Sequence, residues 1–244
     1  MNNLQQAAVP KPHDLALHSP MAELMTLPTG TLLAKFGSGG HKPGSGSAAA
    51  LLALIACKLV QTVVALSNGR SEYVGVKEQL TLANQDITEG VEPFLVDAFQ
   101  QDSILFDRVI NARWKRDSLP KGSKERKAAA EEALAELREA TELPIAIATK
   151  SLNLADQALT VFQLGFKSAR GDSGVAVSAA LSAAHGSLAI VLVNLTSFRG
   201  GSWAIAQREA TEKLQIRASE IQARFLVALG GLHQEVLKLE NPES

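Results

Sequence analysis

The chain has 244 residues, 46% of them hydrophobic and 20% charged, with 24 Lys and Arg against 25 Asp and Glu and a formal net charge of −1. This composition excludes global disorder, and the length buries enough apolar surface for one large or two small domains to fold without staples. The near-zero charge gives no reason to expect a nucleic acid or an anionic membrane as partner, and the single cysteine, Cys57, excludes an internal disulfide and a thiolate metal cluster, which suits a reducing cytoplasm.

Residues 1–18, with Pro10 and Pro12 among polar neighbours, read as a loose arm without a charged-then-apolar leader pattern; residues 19–244 read as a single helical domain. Ser19-Pro20 is an N-cap and first residue for a short helix to about Leu27, which Pro28 and Gly30 end. Thr31–Phe36 adds one helical turn. A Gly-rich loop follows, Gly37-Ser38-Gly39-Gly40-His41-Lys42-Pro43-Gly44-Ser45-Gly46-Ser47, and enters an apolar helix from Ala48 to Leu66. Ser45 or Ser47 is its expected N-cap. Lys58 and Gln61 are its only strongly polar residues, so the pattern predicts burial on every side. The run is about long enough to span a bilayer. Its Ala content, its Lys58 and Gln61, and the lack of a second span favour a bundle core instead.

Beyond Gly69, Val76, Leu80, Ala83 and Ile87 recur at helical spacing from about Glu72, and Pro93 is expected to kink or interrupt the helix. Gln101–Trp114 is amphipathic, and 115–123, with Pro120 and Gly122, is a polar loop. Ser123 opens a strongly helix-favouring run, 124–142, which continues past a kink at Pro144 to about Phe166. Gly171-Asp172-Ser173 is read as the cap of a small-residue helix, 175–198, packed closely on the helix 48–66. Gly200-Gly201 breaks the chain before a last helix from Trp203 to Leu237. No segment has strand periodicity. The expected fold is all-α, an antiparallel bundle of about six to eight helices, several long and proline-kinked.

A Gly-rich turn feeding a helix N-terminus is either an anion site or a plain loop into a core helix. Gly44 to Ala49 formally match a dinucleotide fingerprint, but neither the preceding strand nor the later acid is present; Pro43 after Lys42 rules out a P-loop. The five histidines, His13, His18, His41, His185 and His233, lack metal-ligand spacing, so no metal is expected. Asp102 shares a helical face with Leu105, Phe106, Val109 and Ile110. An acid on an apolar stripe holds its proton more tightly and suits acid–base work; at a helix start it would be an N-cap. Asn194, within an apolar run, needs a partner from a neighbouring helix, a ligand or a second subunit. His185 reads as a satisfied core histidine, and Trp114 and Trp203 as packing or interface residues.

These segments together resemble the cyclodeaminase domain of formiminotransferase-cyclodeaminase and its stand-alone bacterial cyclodeaminase and methenyltetrahydrofolate cyclohydrolase relatives. That family opens its buried helix with Pro-Gly-Gly-Gly-Ser and small residues, similar to Pro43-Gly44-Ser45-Gly46-Ser47-Ala48-Ala49-Ala50. Its Asp four residues before a Phe resembles Asp102 and Phe106, continued by Asp107-Arg108-Val109. Leu119-Pro120-Lys121, Leu143-Pro144, Asp172, Val175-Ala176, Gly186 and Asn194-Leu195 carry the rest, over roughly Ser19 to Leu237. Ser45 replaces the middle glycine, Gly37–Lys42 with His41 looks inserted, and Ile190 stands where the family often has a further Asn.

The resemblance implies an all-helical homodimer in the cytoplasm that takes a tetrahydrofolate derivative as substrate, with Asp102 as catalytic carboxyl and no metal. The expected reaction is cyclodeamination of 5-formimino-tetrahydrofolate or hydrolysis of the 5,10-methenyl bridge. His41, Lys42, Gly44, Ser45, Gly46, Ser47, Asp172 and Asn194 are the expected substrate-binding residues, the helix N-terminus holding a carboxylate or polar edge of the ligand. The alternative is a non-catalytic helical binding module with an altered site.

Overall fold

A computed structural model describes residues 24–240 of the chain, with side chains to residue 237. The arm at 1–18 and the Ser19-Pro20 helix start therefore lie outside the described residues. Seven α-helices and no strand occur among those described: α1 (Thr29–Phe36), α2 (Ser45–Asn68), α3 (Lys77–Asp86), α4 (Glu92–Asp117), α5 (Lys124–Leu164), α6 (Arg170–Leu195) and α7 (Ser202–Glu240). The all-helical expectation holds. The helix expected to end near Leu27 is, in its described part, a 3₁₀ turn at Leu24–Thr26.

Long-range bonds give the helix directions. Ser47 of α2 meets Asp102 of α4, and Gln61 meets Glu92, so these two helices run antiparallel. The Ser67 hydroxyl at the end of α2 accepts from the Phe166 N–H just before α6, so α6 runs back along α2. Lys115 pairs with Glu132 and Arg108 with Glu136 and Glu139, which makes α4 and α5 antiparallel as well. Arg217 and Arg224 of α7 both reach Asp156 of α5. The core between these helices is apolar, with Val60, Leu95, Phe99, Leu152, Leu159 and Leu188 almost fully enclosed.

Several sequence expectations change at this level. The long helix expected from Glu72 is divided into a 3₁₀ stretch (Ser71–Val76), α3 and a π-helical turn (Ile87–Val91). Pro93 follows directly on this π-helical turn, at the second position of α4, so the helix is interrupted where the proline was expected to kink or interrupt it. Pro144, by contrast, lies inside α5, which runs on for 41 residues. Gly171, Asp172 and Ser173 do not cap α6 from outside but form part of its first turn, and α6 ends at Leu195 rather than Phe198.

Helix α2 is not buried all round. Leu52, Ile55 and Leu66 are 40%, 46% and 37% exposed, along one unpacked face. Helix α6 likewise presents Val175, Leu192 and Val193 to the outside, and His185, expected in the core, is exposed. Both α2 and the segment Lys167–Leu195 are long and apolar enough to cross a membrane, so a second such run does exist; half of each apolar window is buried within the bundle.

Ser67 ties the start of α6 to the end of α2. Its hydroxyl is fully buried, donates to the Val63 carbonyl at 2.7 Å and accepts from Phe166 at 2.8 Å. Ser67→Ala leaves the Phe166 N–H without that acceptor and should cost about 1–3 kcal/mol. In thermal melts this is a loss of roughly 2–4 °C per kcal/mol for a chain of this size; an unchanged melting temperature would contradict the assignment.

Candidate active site

The Gly-rich loop delivers the chain to α2 through Gly44, which is the N-cap residue; neither Ser45 nor Ser47 caps the helix, because both already lie in its first turn. No side chain of the loop satisfies the first N–H groups of α2. A carboxylate from another helix does. Asp102 Oδ2 accepts the Ser47 N–H at 2.9 Å and the Ser47 hydroxyl at 3.1 Å. Asp102 is ten residues into α4, so it is not the N-cap of its own helix. It caps α2 across space, where the helix dipole favours a negative charge.

The two glycines make this approach possible by their size. A Cβ on Gly46 would stand 2.1 Å from Asp102 Oδ1 and 2.6 Å from its Cγ. A Cβ on Gly44 would stand 3.0 Å from Asp102 Oδ2 and 3.4 Å from the His41 carbonyl oxygen. Gly44 has an extended backbone, φ −98° and ψ −168°, that any residue adopts, so close approach and not conformational freedom is what selects glycine here.

Desolvation dominates the electrostatics of Asp102. Burial raises its pKa above the ordinary aspartate range, against the N–H and hydroxyl of Ser47 and the N–H of Gly46, which pull it down. The apolar stripe contributes only part of this burial: Val109 is buried, Leu105 and Ile110 are half-buried, and Phe106 is 37% exposed. The Gly44–Ser47 turn covers the carboxyl as well, with Gly44, Gly46 and Ser47 all against it. A half-buried carboxyl with raised pKa, fixed by two donors to one oxygen, is suited to giving and taking a proton.

A second cluster adjoins it. Asp107, five residues further along α4, accepts from His41 Nε2 at 3.0 Å on one carboxylate oxygen and pairs with Lys42 on the other. The His41 ring lies 5.7 Å from that of Phe106, tilted by 56°. The loop residues 41 and 42 are thereby tied to α4 within about one turn of Asp102.

Asn194 and Asp172 occupy opposite ends of α6. Asn194 lies near its C-terminus, at the end of the bundle where α2 begins; it is half-buried, and its side chain makes no hydrogen bond among the described residues. Asp172 lies in the first turn, beside the end of α2. Twenty residues of α2 separate that end from Ser47, a rise of about 30 Å. Within one chain, therefore, Asp172 is not brought to Asp102.

Two groups were missed by the sequence reading. Asp107 has the same signal as Asp102, an acid near Phe106, and only the fold shows that it faces the loop. The other is a groove of about 740 Å³ further along the α2–α4 seam, lined by Lys58, Gln61, Asn84, Glu92, Pro93 and Val96 among others. Glu92 there is held ionised: its burial favours the protonated form, but bonds from Lys58 and Gln61 outweigh this and lower its pKa. The groove does not include Asp102. Nearby Cys57 is fully enclosed; burial and then the Glu92 charge push its thiol up to about 12, which removes it as a nucleophile.

Residues 28–213 match the family model described as formiminotransferase-cyclodeaminase. A methenyltetrahydrofolate cyclohydrolase of Methylorubrum extorquens is 29% identical over 196 residues, which are 80% of this chain and 92% of that protein. The crystal structure of formiminotetrahydrofolate cyclodeaminase from Thermotoga maritima superposes with a TM-score of 0.74 at 19% identity, over 86% of this chain and 98% of that one. At that identity the structural likeness speaks for the fold.

Proposed function

The chain belongs to the formiminotransferase-cyclodeaminase family, and from that premise we propose that it is an enzyme of the one-carbon bridge of a reduced folate, with Asp102 as its acid–base group. The observation that carries this reading is the half-buried carboxyl of Asp102, seated on the Gly44–Ser47 turn with its pKa raised. The relative named methenyltetrahydrofolate cyclohydrolase supports hydrolysis of the 5,10-methenyl bridge as the reaction. Water adds to the bridge carbon, one carbon–nitrogen bond breaks, and the departing nitrogen takes a proton. Asp102 in its protonated form supplies that proton.

Cyclodeamination is the second reading, favoured by the family description. N10 attacks the formimino carbon carried on N5, and ammonia leaves with a proton. The two reactions share an addition–elimination at a carbon between two nitrogens, so one acid–base carboxyl serves either.

Lys42, Ser45 and Asn194 are at the Asp102 end of the bundle and are the proposed substrate contacts, together with His41. Gly44, Gly46 and Ser47 act on substrate through Asp102, because the N–H and hydroxyl of Ser47 already hold its carboxylate. Asp172 joins this site only if a second subunit brings it there. The test is spectroscopic: methenyl absorbance should decay on addition of protein, or rise with 5-formimino-tetrahydrofolate as ammonia is released. Binding of a reduced folate without either change would favour the non-catalytic module.

The exposed apolar faces of α2 and α6 support a homodimer, and the single cysteine suits a reducing cytoplasm. Leu52, Ile55 and Leu66 on α2 and Val175, Leu192 and Val193 on α6 flank exposed small residues, Ser178, Ser182, Gly186 and Ala189, that permit close helix approach. A two-fold contact of this face with its own copy covers both helices at once. Sedimentation at micromolar concentration should show a dimer, and Ile55→Glu should shift it to monomer. A wild-type monomer would count against the assembly.

A further inference from the structure

We propose that His41 is a second proton-transfer residue of this site, oriented by Asp107 and working opposite Asp102. The proposal rests on the folate reading above and extends it to a residue whose expected role was binding alone. The carboxylate of Asp107 can only accept, so the Nε2 atom at 3.0 Å carries the hydrogen in the neutral imidazole. The other ring nitrogen, Nδ1, then carries the free lone pair. It makes no hydrogen bond among the described residues, and the side chain is 34% exposed. A carboxylate fixing one imidazole nitrogen so that the other is available for proton transfer is the arrangement by which histidine bases are oriented.

Two contacts hold the ring, and a third holds the carboxylate that orients it. Asp107 binds Nε2, Lys42 pairs with the second Asp107 oxygen, and the Phe106 ring lies against the imidazole. Phe106 is four residues after Asp102 on the same face of α4. The backbone returns as well, for the His41 carbonyl and Asp102 Oδ2 both border Gly44. The imidazole and the carboxyl thus border one end of the α2–α4 seam, with the partly exposed ring of Phe106 beside the imidazole.

In hydrolysis of the methenyl bridge His41 acts on the attacking water and Asp102 on the leaving nitrogen. As the water oxygen bonds to the bridge carbon, its proton passes to Nδ1 of His41. The electron pair of the broken carbon–nitrogen bond stays on the nitrogen, which takes the proton of Asp102. As that bond breaks, the carbinol oxygen becomes the formyl carbonyl and its remaining proton returns to the Asp102 carboxylate; the imidazolium releases its proton to solvent, the one proton that the hydrolysis sets free.

The test uses the full chain and 5,10-methenyl-tetrahydrofolate. His41→Ala should lower kcat by about 10²-fold or more, leave KM within a few-fold, and regain activity when free imidazole is added. Asp107→Asn should lower kcat less. Nitrogen-15 spectra of the wild type should show His41 protonated at Nε2, and this preference should vanish in Asp107→Asn. Full kcat in His41→Ala, a loss that imidazole does not restore, or a wild-type ring protonated at Nδ1 would each overturn the role of His41 while leaving Asp102 in place. A wild type that turns over neither folate would overturn the folate reading itself and this role with it.

Discussion

Asp102→Asn should lower turnover by about 10²-fold or more while leaving the protein at least as stable near neutral pH. Asparagine keeps the size of the side chain, and its carbonyl oxygen can still accept from the Ser47 N–H and hydroxyl that now hold the carboxylate. What it cannot do is carry a proton. The stability side follows from linkage. Burial raises the folded pKa of Asp102, so the folded state binds more protons than the unfolded state between the ordinary aspartate value and the raised one. Ionisation therefore costs stability as pH rises through that window. Asparagine does not titrate, so its relative gain is present above the window and absent below it. Kinetics at neutral pH, with melts at neutral and acid pH, check both halves. An Asn variant with full turnover removes Asp102 from the chemistry, and a variant that melts lower at neutral pH than at acid pH, relative to wild type, contradicts the raised pKa.

How much of this was legible before the fold is best judged residue by residue. The helical class was, because apolar residues recur at helical spacing and no segment alternates. Asp102 was legible as an acid among apolar neighbours, but its role as cap was assigned to the wrong helix. Short-range rules place a cap next in sequence to the N–H groups it binds, and here the two lie 55 positions apart. The Gly-rich turn was legible as a polar seat at a helix N-terminus, and within this chain the group that meets it is the Asp102 carboxyl. Helix α2 shows a different limit. Its residues are apolar on every side, and composition does not distinguish a face against the core from a face that stays open, as at Leu52 and Ile55. The π-turn at Ile87–Val91 had no sequence mark except Pro93 just after it. Asp172 matched a family motif by order along the chain, but α6 is long enough to carry it to the far end of the bundle.

Gly46→Ala should reduce turnover by about 10²-fold with the helical spectrum intact, because a misplacement of about 1 Å at a reacting group is enough for such a loss. The new Cβ would stand 2.1 Å from Asp102 Oδ1, inside any real contact distance, and the carboxyl group rather than a flexible chain end is what it meets. Either Asp102 leaves Ser47, or the first turn of α2 shifts away from α4. Overpacking of this kind costs about 1–3 kcal/mol. Against it stands the helix preference of alanine over glycine, up to about 1 kcal/mol. The net is a modest loss of stability beside a large loss of activity. Gly46→Val should be worse in both respects. The cause can be isolated with a second substitution. In an Asp102→Ala background the obstructing carboxyl is gone, so adding Gly46→Ala should cost nothing and can stabilise by the helix preference alone. The two changes are then strongly non-additive, as residues in direct contact are. Additive penalties in the double variant would mean that Gly46 serves the turn for some reason other than making room for Asp102.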